Sequence, residues 1–452
     1  MEALTGKKIT IIGGGVSGAA LARFIAVHGG EPFVTEAKAG IPESHLEDFR
    51  SLGVRWETGG HSARALECHM LALSSGVPPT APVILSAQSQ GIPVVGEVDL
   101  TRPYMDGIVV AITGTNGKTT TTSLTAHLLR YAGLDAVEAG NIGAPLGALA
   151  GQKRDVFVVE LSSFQLYWTH HALFDVSVVT NLAPDHIDWH GGYDRYVAAK
   201  RRILERRSPH GWAVIQEMDR EVLRSLNTPR IIGLSHGVPS GDGLWMEDRS
   251  VSITINGHST KFFDVESLPL LGRHNVENGA MAVAACFLST NRTEDWAAGF
   301  QSYQPPPHRC QLVGTVKDVT YVDDSKGTNV ASTCTALRSL PGHKVIILGG
   351  RGKGEDYETL ASAVNETCRW AVLIGEERQA IADTLKRRGF SHWTLAESMD
   401  EAVDHASKEA QSGDTVLLSP ACTSWDMYDN YEIRGDHFQQ LVATLKEKAS
   451  SP

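Results

Sequence analysis

Gly114-Thr115-Asn116-Gly117-Lys118-Thr119-Thr120 follows an apolar run, Gly107 to Thr113, and precedes a segment, Thr121 to Leu134, with Leu124, His127, Leu128 and Tyr131 at helical spacing. A glycine loop between a strand and a helix cradles phosphate, because bare backbone N–H groups and the helix dipole point at it. Lys118 would reach the β- and γ-phosphates of ATP, and the Thr119 hydroxyl would ligate Mg²⁺. The full Walker spacing has a glycine where this chain has Ile112, so the loop is a short variant. A glycine turn with a threonine cap is the plain alternative.

Two further apolar runs end in metal-binding side chain types. Asp155 to Val159 stops at Glu160, and Asp175 to Val179 leads to Asp185-His186-Ile187-Asp188. In a parallel sheet, Glu160, His186 and the glycine loop share the carboxyl edge, where ligands bind. A carboxylate and an imidazole beside a phosphate loop suit a divalent ion bridging ATP and protein. Glu160 has a plain alternative as part of a capping turn with Ser162 and Ser163, and His186 reads equally as an ordinary loop histidine. Downstream, Tyr193, Val197, Lys200 and Leu204 form one helical stripe. Burial would lower the Lys200 pKa, and a neutral amine can add CO₂ to give a carbamate. Helix geometry alone favours a lysine that snorkels to water.

These elements need a frame. Lys8 to Ile12 runs into Gly13-Gly14-Gly15-Val16-Ser17-Gly18 and an alanine-rich helix, and Glu31 to Thr35 ends at Glu36. This is a dinucleotide-type strand, turn and helix with the ribose-binding acid in place. Alone it reads as a nicotinamide or flavin site. A second phosphate loop downstream makes a nucleotide-linked substrate the better reading, with an NAD-binding oxidoreductase as the alternative. Pro103 and Gly107 bracket a linker, and Pro305-Pro306-Pro307 is a stiff connector and hinge neighbourhood. Asn275 and Asn278 share a helical face and suit an adenine edge or simple capping. In the last third, strands end at Asp324-Ser325-Lys326, at Gly349 to Gly354 with Lys353, and at Ser419 to Asp426. Lys326 and Lys353 suit an anionic second substrate or the nucleotide, and Arg309 could reach a γ-phosphate. Each loop alone is as readily turn chemistry.

The 452 residues suggest about three domains. A net charge of −11 argues against a nucleic-acid or membrane-surface binder. The six scattered cysteines form no C-x-x-C pair and read as reduced thiols. No apolar run is long enough for a bilayer, so a cytoplasmic protein without membrane insertion is expected.

In order along the chain, Gly114-Thr-Asn-Gly-Lys-Thr, Glu160-Leu-Ser-Ser-Phe-Gln, Asp185-His-Ile-Asp, Tyr196-Val-Ala-Ala-Lys200, His274-Asn275, His308-Arg309 and Asp324-Ser-Lys-Gly-Thr-Asn329 resemble the Mur ligases. Ser419 to Asp426 with Asn430 to Phe438 is similar to the members of that family that add D-glutamate. The resemblance implies three α/β domains: a Rossmann-like domain for a UDP-linked substrate (1–106), a central P-loop ATPase-like domain with a mostly parallel sheet (107–307), and a Rossmann-like amino-acid domain (308–452). The implied reaction is ATP-dependent addition of D-glutamate to UDP-N-acetylmuramoyl-L-alanine through an acyl phosphate, in peptidoglycan precursor synthesis, with another Mur-type amino-acid ligase as the nearest alternative. The implied catalytic set is Lys118, Glu160, His186 and Lys200, with two Mg²⁺ held by Thr119, Glu160, His186 and carbamylated Lys200. ATP would meet Gly114 to Thr120, Asn275, Asn278, Arg309, Asp324 and Lys326. The UDP-linked substrate would meet Val16, Ser17, Glu36 and Asn141, and D-glutamate would meet Thr328, Lys353, Ser424 and Tyr431. Three departures stand out: Glu36 where aspartate is common, Tyr431 where phenylalanine is usual, and Asp429 where a lysine can occur. A monomer that closes around its substrates is expected.

Overall fold

Strands buried on both faces read as nearly continuous apolar runs, and the runs above are such strands. The structure, a computed structural model, describes residues 4–223, 230–270, 272–354 and 356–450. Among these residues, twenty strands form three sheets. In the first, β1 (Lys8–Ile12), β2 (Glu31–Glu36), β3 (Arg55–Thr58), β4 (Met70–Leu73) and β5 (Val94–Gly96) lie in the order β3-β2-β1-β4-β5, all parallel.

The second sheet contains β6 (Asp106–Thr113), β7 (Ala136–Gly140), β8 (Lys153–Glu160), β9 (Phe174–Val179), β10 (Arg207–Gln216), β11 (Ile231–His236), β12 (Gly243–Glu247), β13 (Ser250–Ile255) and β14 (His258–Asp264). Its order is β14-β13-β12-β11-β10-β9-β6-β8-β7, parallel from β7 to β12 and closed by an antiparallel meander. The third holds β15 (Gln311–Val316), β16 (Val319–Asp323), β17 (Lys344–Gly349), β18 (Cys368–Ile374), β19 (Trp393–Leu395) and β20 (Thr415–Leu418), in the order β15-β16-β20-β17-β18-β19. Only the β15–β16 pair is antiparallel. The expected α/β class with mostly parallel sheets is what the chain adopts.

The chain divides into two compact units, residues 1–267 with 279–301 and residues 268–278 with 302–452. The first two sheets thus share a unit, and the segment between them shows why. Gly96 packs so closely on Trp168 that a Cβ there would lie 2.8 Å from the Trp168 Cβ. The short helix Glu97–Thr101 then presents Asp99, whose carboxylate accepts three backbone N–H groups, from His170 (2.6 Å), His171 (3.0 Å) and Ala172 (2.7 Å). Arg102 donates through Nε to the Leu173 carbonyl, at 2.8 Å. The segment just before the linker expected at Pro103 to Gly107 is thus a polar staple between two sheets.

Within the described residues no helix is long and apolar enough to cross a membrane, and no disulfide joins the six cysteines. Asp99→Ala removes the acceptor of one buried and two part-buried N–H groups and is expected to lower the unfolding free energy by about 2 kcal/mol, read from the urea midpoint. A loss below about 0.5 kcal/mol would show that those N–H groups find other acceptors.

Candidate active site

β6 delivers the phosphate loop to the carboxyl edge of the central sheet, and the helix Lys118–Tyr131 leaves from it. Gly114 has φ +150°, and a Cβ there would sit 1.9 Å from Thr180 Oγ1, so only glycine lets the loop lie on β9's extension. The loop is laced to that neighbour. Asn116 N–H donates to Asn181 Oδ1 (2.9 Å), Asn181 Nδ2 to the Asn116 carbonyl (3.0 Å), and Ala183 N–H to Thr115 Oγ1 (2.9 Å). Thr115 Oγ1 also meets the Tyr196 hydroxyl at 2.8 Å. A loop held this way presents its backbone to a phosphate without reorganising.

Two lysines converge on it. Lys118 Nζ donates to the carbonyls of Gly114 (2.8 Å) and Thr115 (2.6 Å). Lys200 Nζ, from the helix Tyr193–Glu205, donates to the same Gly114 carbonyl at 2.6 Å and to Thr113 Oγ1 at 3.2 Å. The Lys200 residue is only 2% exposed and its Nζ lies over the Tyr196 ring, so it does not snorkel. Burial, then the nearby Lys118 charge, hold its pKa well below that of an ordinary lysine, against the pull of Asp185 and Glu160. A neutral amine is the form that adds CO₂.

Glu160 closes β8 and is 1% exposed. Its Oε1 accepts Asn141 Nδ2 at 2.8 Å, while Oε2 is buried with no hydrogen-bond partner among the described residues. An orphaned carboxylate oxygen is costly unless a cation or donor completes it. Among the described residues no three His, Cys, Asp or Glu side chains gather as a metal cage. The donors present, a carboxylate oxygen and the Thr119 hydroxyl, instead fit Mg²⁺, which takes most of its ligands from phosphate and water. His186 has φ +50°, lies 3.6 Å from Asp185 through Nε2, and packs its ring on Phe164. Phe164 follows Ser162, whose side chain caps the helix Ser163–Tyr167 reciprocally with Gln165. The capping reading of Ser162 therefore holds, and Glu160 is not part of that cap.

At the first sheet, Glu36 accepts Gly14 N–H through Oε2 (2.8 Å) and Lys38 N–H through Oε1 (2.9 Å). Partial burial works against these N–H groups, but they hold its carboxyl below the usual range. Val16 is exposed and Ser17 is half-buried, both in the first turn of the helix Val16–Val27. Asn141 is placed on Glu160 as described.

The second unit holds the remaining candidates. Asn275 and Asn278 are buried and bonded to each other at 3.1 Å, through Asn278 Nδ2 and Asn275 Oδ1. Asp324, at the end of β16, accepts Ser419 Oγ (2.6 Å) and Cys310 N–H (3.2 Å). Burial pushes its pKa up to about 7, against those hydrogen bonds and the Arg309 charge. Lys326 Nζ lies 3.7 Å from the centroid of the Tyr431 ring, a contact that phenylalanine would also make. Thr328 is half-buried, Ser424 is buried, and Lys353 and Asp429 are exposed.

Sequence reasoning assigned no role to Arg434. It is 1% exposed in the helix Tyr431–Ser450 and donates to Ser325 Oγ (3.0 Å), the Ser325 carbonyl (2.8 Å) and the Cys422 carbonyl (3.2 Å). It ties the β16 and β20 loops together. Its signal was the stripe Arg434, Phe438, Val442, where an arginine takes the first apolar position.

Residues 7–96 match the Mur ligase MurD-like N-terminal domain, 112–286 the Mur ligase middle domain, and 308–422 the Mur ligase glutamate ligase domain. The chain is 36% identical over 456 residues to the UDP-N-acetylmuramoylalanine–D-glutamate ligase of Pelotomaculum thermopropionicum, covering 99% of this chain and 100% of the relative. It is 38% identical to the protein of the same name from Salinibacter ruber, covering 97% and 98%. Among solved structures it is similar to a pseudomurein peptide ligase type C from Methanothermus fervidus, with a TM-score of 0.60 at 18% identity over 98% and 100% of the chains. Likeness to the UDP-N-acetylmuramate-alanine ligase of Thermotoga maritima gives 0.57 at 19% over 97% and 99%. These two structures speak for the fold. The chain belongs to the Mur ligase family, whose members form amide bonds at the expense of ATP.

Asp324 makes stability pH-dependent. Between about pH 4, where the unfolded carboxyl ionises, and about 7, the folded carboxyl keeps a proton that the unfolded chain releases, so stability falls as pH rises. Asp324→Asn removes that group. Its melting temperature relative to the unmodified protein is expected to climb from pH 5 to pH 8, and a difference that stays flat with pH would mean Asp324 is ionised in the fold.

Proposed function

We propose that the protein is the ligase that joins D-glutamate to UDP-N-acetylmuramoyl-L-alanine in peptidoglycan precursor synthesis. The observation that carries the ligase chemistry is the convergence of Lys118 and Lys200 on the Gly114 carbonyl beside the orphaned Glu160 oxygen. The observation that supports the substrate pair is the near-complete match to relatives bearing that name.

The chemistry has two steps. An oxygen of the precursor's alanyl carboxylate takes the γ-phosphoryl group of ATP, and ADP leaves. The amine of D-glutamate then forms the C–N bond, phosphate departs, and the amine proton is lost. Both reactants are anions, so positioning and charge neutralisation account for most of the rate. When bound, Mg²⁺ supplies Lewis-acid neutralisation of that charge. Gly114 to Thr120 would cradle the triphosphate, Lys118 would leave its loop carbonyls for the β- and γ-phosphates, and Glu160 Oε2 and Thr119 would hold one ion. Lys200 in its neutral form adds CO₂, losing a proton, and the resulting carbamate with His186 would hold a second. Arg309, Asp324 and Lys326, with Asn275 and Asn278 at adenine, would serve the nucleotide, and Thr328, Lys353, Ser424 and Tyr431 the amino acid. Val16, Ser17, Glu36 and Asn141 would serve the UDP-linked substrate. No comparison supports the oxidoreductase alternative.

Three measurements bear on this reading. Phosphate release with UDP-N-acetylmuramoyl-L-alanine and ATP should require D-glutamate across a panel of amino acids, and release with a different amino acid instead would overturn the substrate assignment. Lys200→Ala should lower turnover at least about 1,000-fold, the scale of losing a group that stabilises transition-state charge, with partial rescue by short carboxylic acids. An unchanged rate would exclude the carbamate. Lys118→Ala should slow acyl-phosphate formation by a similar factor in single turnovers, and full single-turnover activity would remove Lys118 from the phosphate site.

A further inference from the structure

The order of the first sheet, β3-β2-β1-β4-β5, puts β2 and β4 on opposite sides of β1. The winding therefore reverses between β1 and β4, and a parallel sheet opens its ligand crevice at the carboxyl edge of such a point. Two loops flank that crevice: the glycine loop after β1, and residues 74–79 after β4. They lie against each other. A Cβ on Gly13 would strike Ser74 Oγ, which donates to the Ile12 carbonyl at 2.7 Å.

The second of these loops is held from outside its own sheet. Trp168 Nε1 donates to the Val77 carbonyl at 3.3 Å, and Trp189 Nε1 donates to the Gly76 carbonyl at 3.2 Å. Trp168 is buried and joins the apolar cluster of Ile12, Leu73 and Ile84, so packing alone accounts for it. Trp189 is different. It is half-buried, in the four-residue helix Ile187–His190 that starts after His186. An indole N–H at such a place can be satisfied by water. Here it meets a carbonyl 113 residues upstream. The ring centroid lies 4.7 Å from that of Phe164, 5.4 Å from Tyr167 and 4.5 Å from His190. Phe164 is also the ring on which His186 packs.

We infer that Trp189 is a positioning residue for the first substrate: it pins the loop beside the crevice to the segment that carries His186. The inference rests on the assignment of that crevice to UDP-N-acetylmuramoyl-L-alanine. Gly76 has φ +92°, a conformation that leaves the loop free to turn there. Holding its carbonyl removes that freedom while the crevice is empty. The cost of ordering the loop is then met in folding, and the ligand does not meet it again on binding. Preorganisation of this kind acts on substrate affinity and leaves the chemical step alone.

The test is calorimetric titration with UDP-N-acetylmuramoyl-L-alanine, without ATP or Mg²⁺. Trp189→Phe keeps an aromatic ring on Phe164 and removes the N–H. It is expected to weaken precursor binding about five-fold, the scale of one net hydrogen bond. Affinity for Mg²⁺ with a non-hydrolysable ATP analogue, and the melting temperature, should not change. In turnover the precursor KM should rise with kcat retained. Trp168→Phe removes the companion N–H and should weaken the precursor in the same sense. A packing role for Trp189 predicts the opposite pattern, a lower melting temperature with unchanged precursor affinity, and that result overturns the proposal. Equal loss of precursor and nucleotide affinity overturns it as well, and so does a Trp189→Phe protein that does not fold. The readout uses no amino acid, so it stands even where the D-glutamate assignment fails. An unmodified protein that binds no precursor strikes the assignment of the crevice itself, and the role of Trp189 with it.

Discussion

Two amines cannot share one carbonyl while both carry full charge in a buried setting. Lys118 and Lys200 both end on the Gly114 oxygen, at 2.8 and 2.6 Å. Like charges so close disfavour the protonated form of whichever group has less water, and that group is Lys200. The arrangement exists only because position 114 lacks a side chain. A Cβ there would strike Thr180, and the carbonyl could not turn toward both helices. The phosphate loop, the unusual lysine and the end of β9 are thus one interlocked object, and the lacing by Asn116, Asn181 and Thr115 keeps it rigid.

Rigidity at that edge makes the orphaned Glu160 oxygen informative. Asn141 satisfies one carboxylate oxygen and none of the described residues satisfies the other. Folding gains nothing from a stranded acceptor, and a single donor side chain nearby would remove the cost. Its place beside the phosphate loop supports the proposed Mg²⁺ site. Lys200 has the opposite character: a buried donor, already satisfied by Thr113 and Gly114, whose proton affinity has been lowered. An unpaired carboxyl oxygen and an amine of lowered proton affinity are what the proposed metal site would need.

How much of this was legible in the sequence depends on range. The strands were readable because both-face burial writes itself as apolar runs, and the glycine loops because only glycine tolerates their backbone. The parallel edge that gathers Glu160 and the phosphate loop followed from topology rules. Lys200 resisted local reading, since a stripe of Tyr, Val, Lys and Leu fits a snorkelling lysine as well as a buried one. The Thr113 and Gly114 acceptors that decide the matter lie over eighty residues upstream. The stapling role of residues 97–102 escaped local reading for the same reason: the three N–H groups that hold Asp99 lie about seventy residues away. Asn275 and Asn278 read in sequence as one helical face suited to an adenine edge or to capping, and their side chains meet each other, a pairing that the spacing of i and i+3 permits.

Glu36 shows where a motif misleads even when its elements are correctly placed. A glycine fingerprint followed by an acid at the end of the second strand is the pattern of a dinucleotide fold. Here the acid is a glutamate, one methylene longer than aspartate, and it reaches back to take the Gly14 N–H together with that of Lys38. The fingerprint's own backbone donor is thereby spent inside the protein, and a pyrophosphate approaching that position would have to displace a carboxylate already held by two N–H groups. Each Glu36 oxygen keeps a further lone pair, so the side chain can still accept from a ligand N–H or O–H. A loop braced this way holds Glu36 in a fixed position, with its free lone pairs turned to recognition by hydrogen bonding.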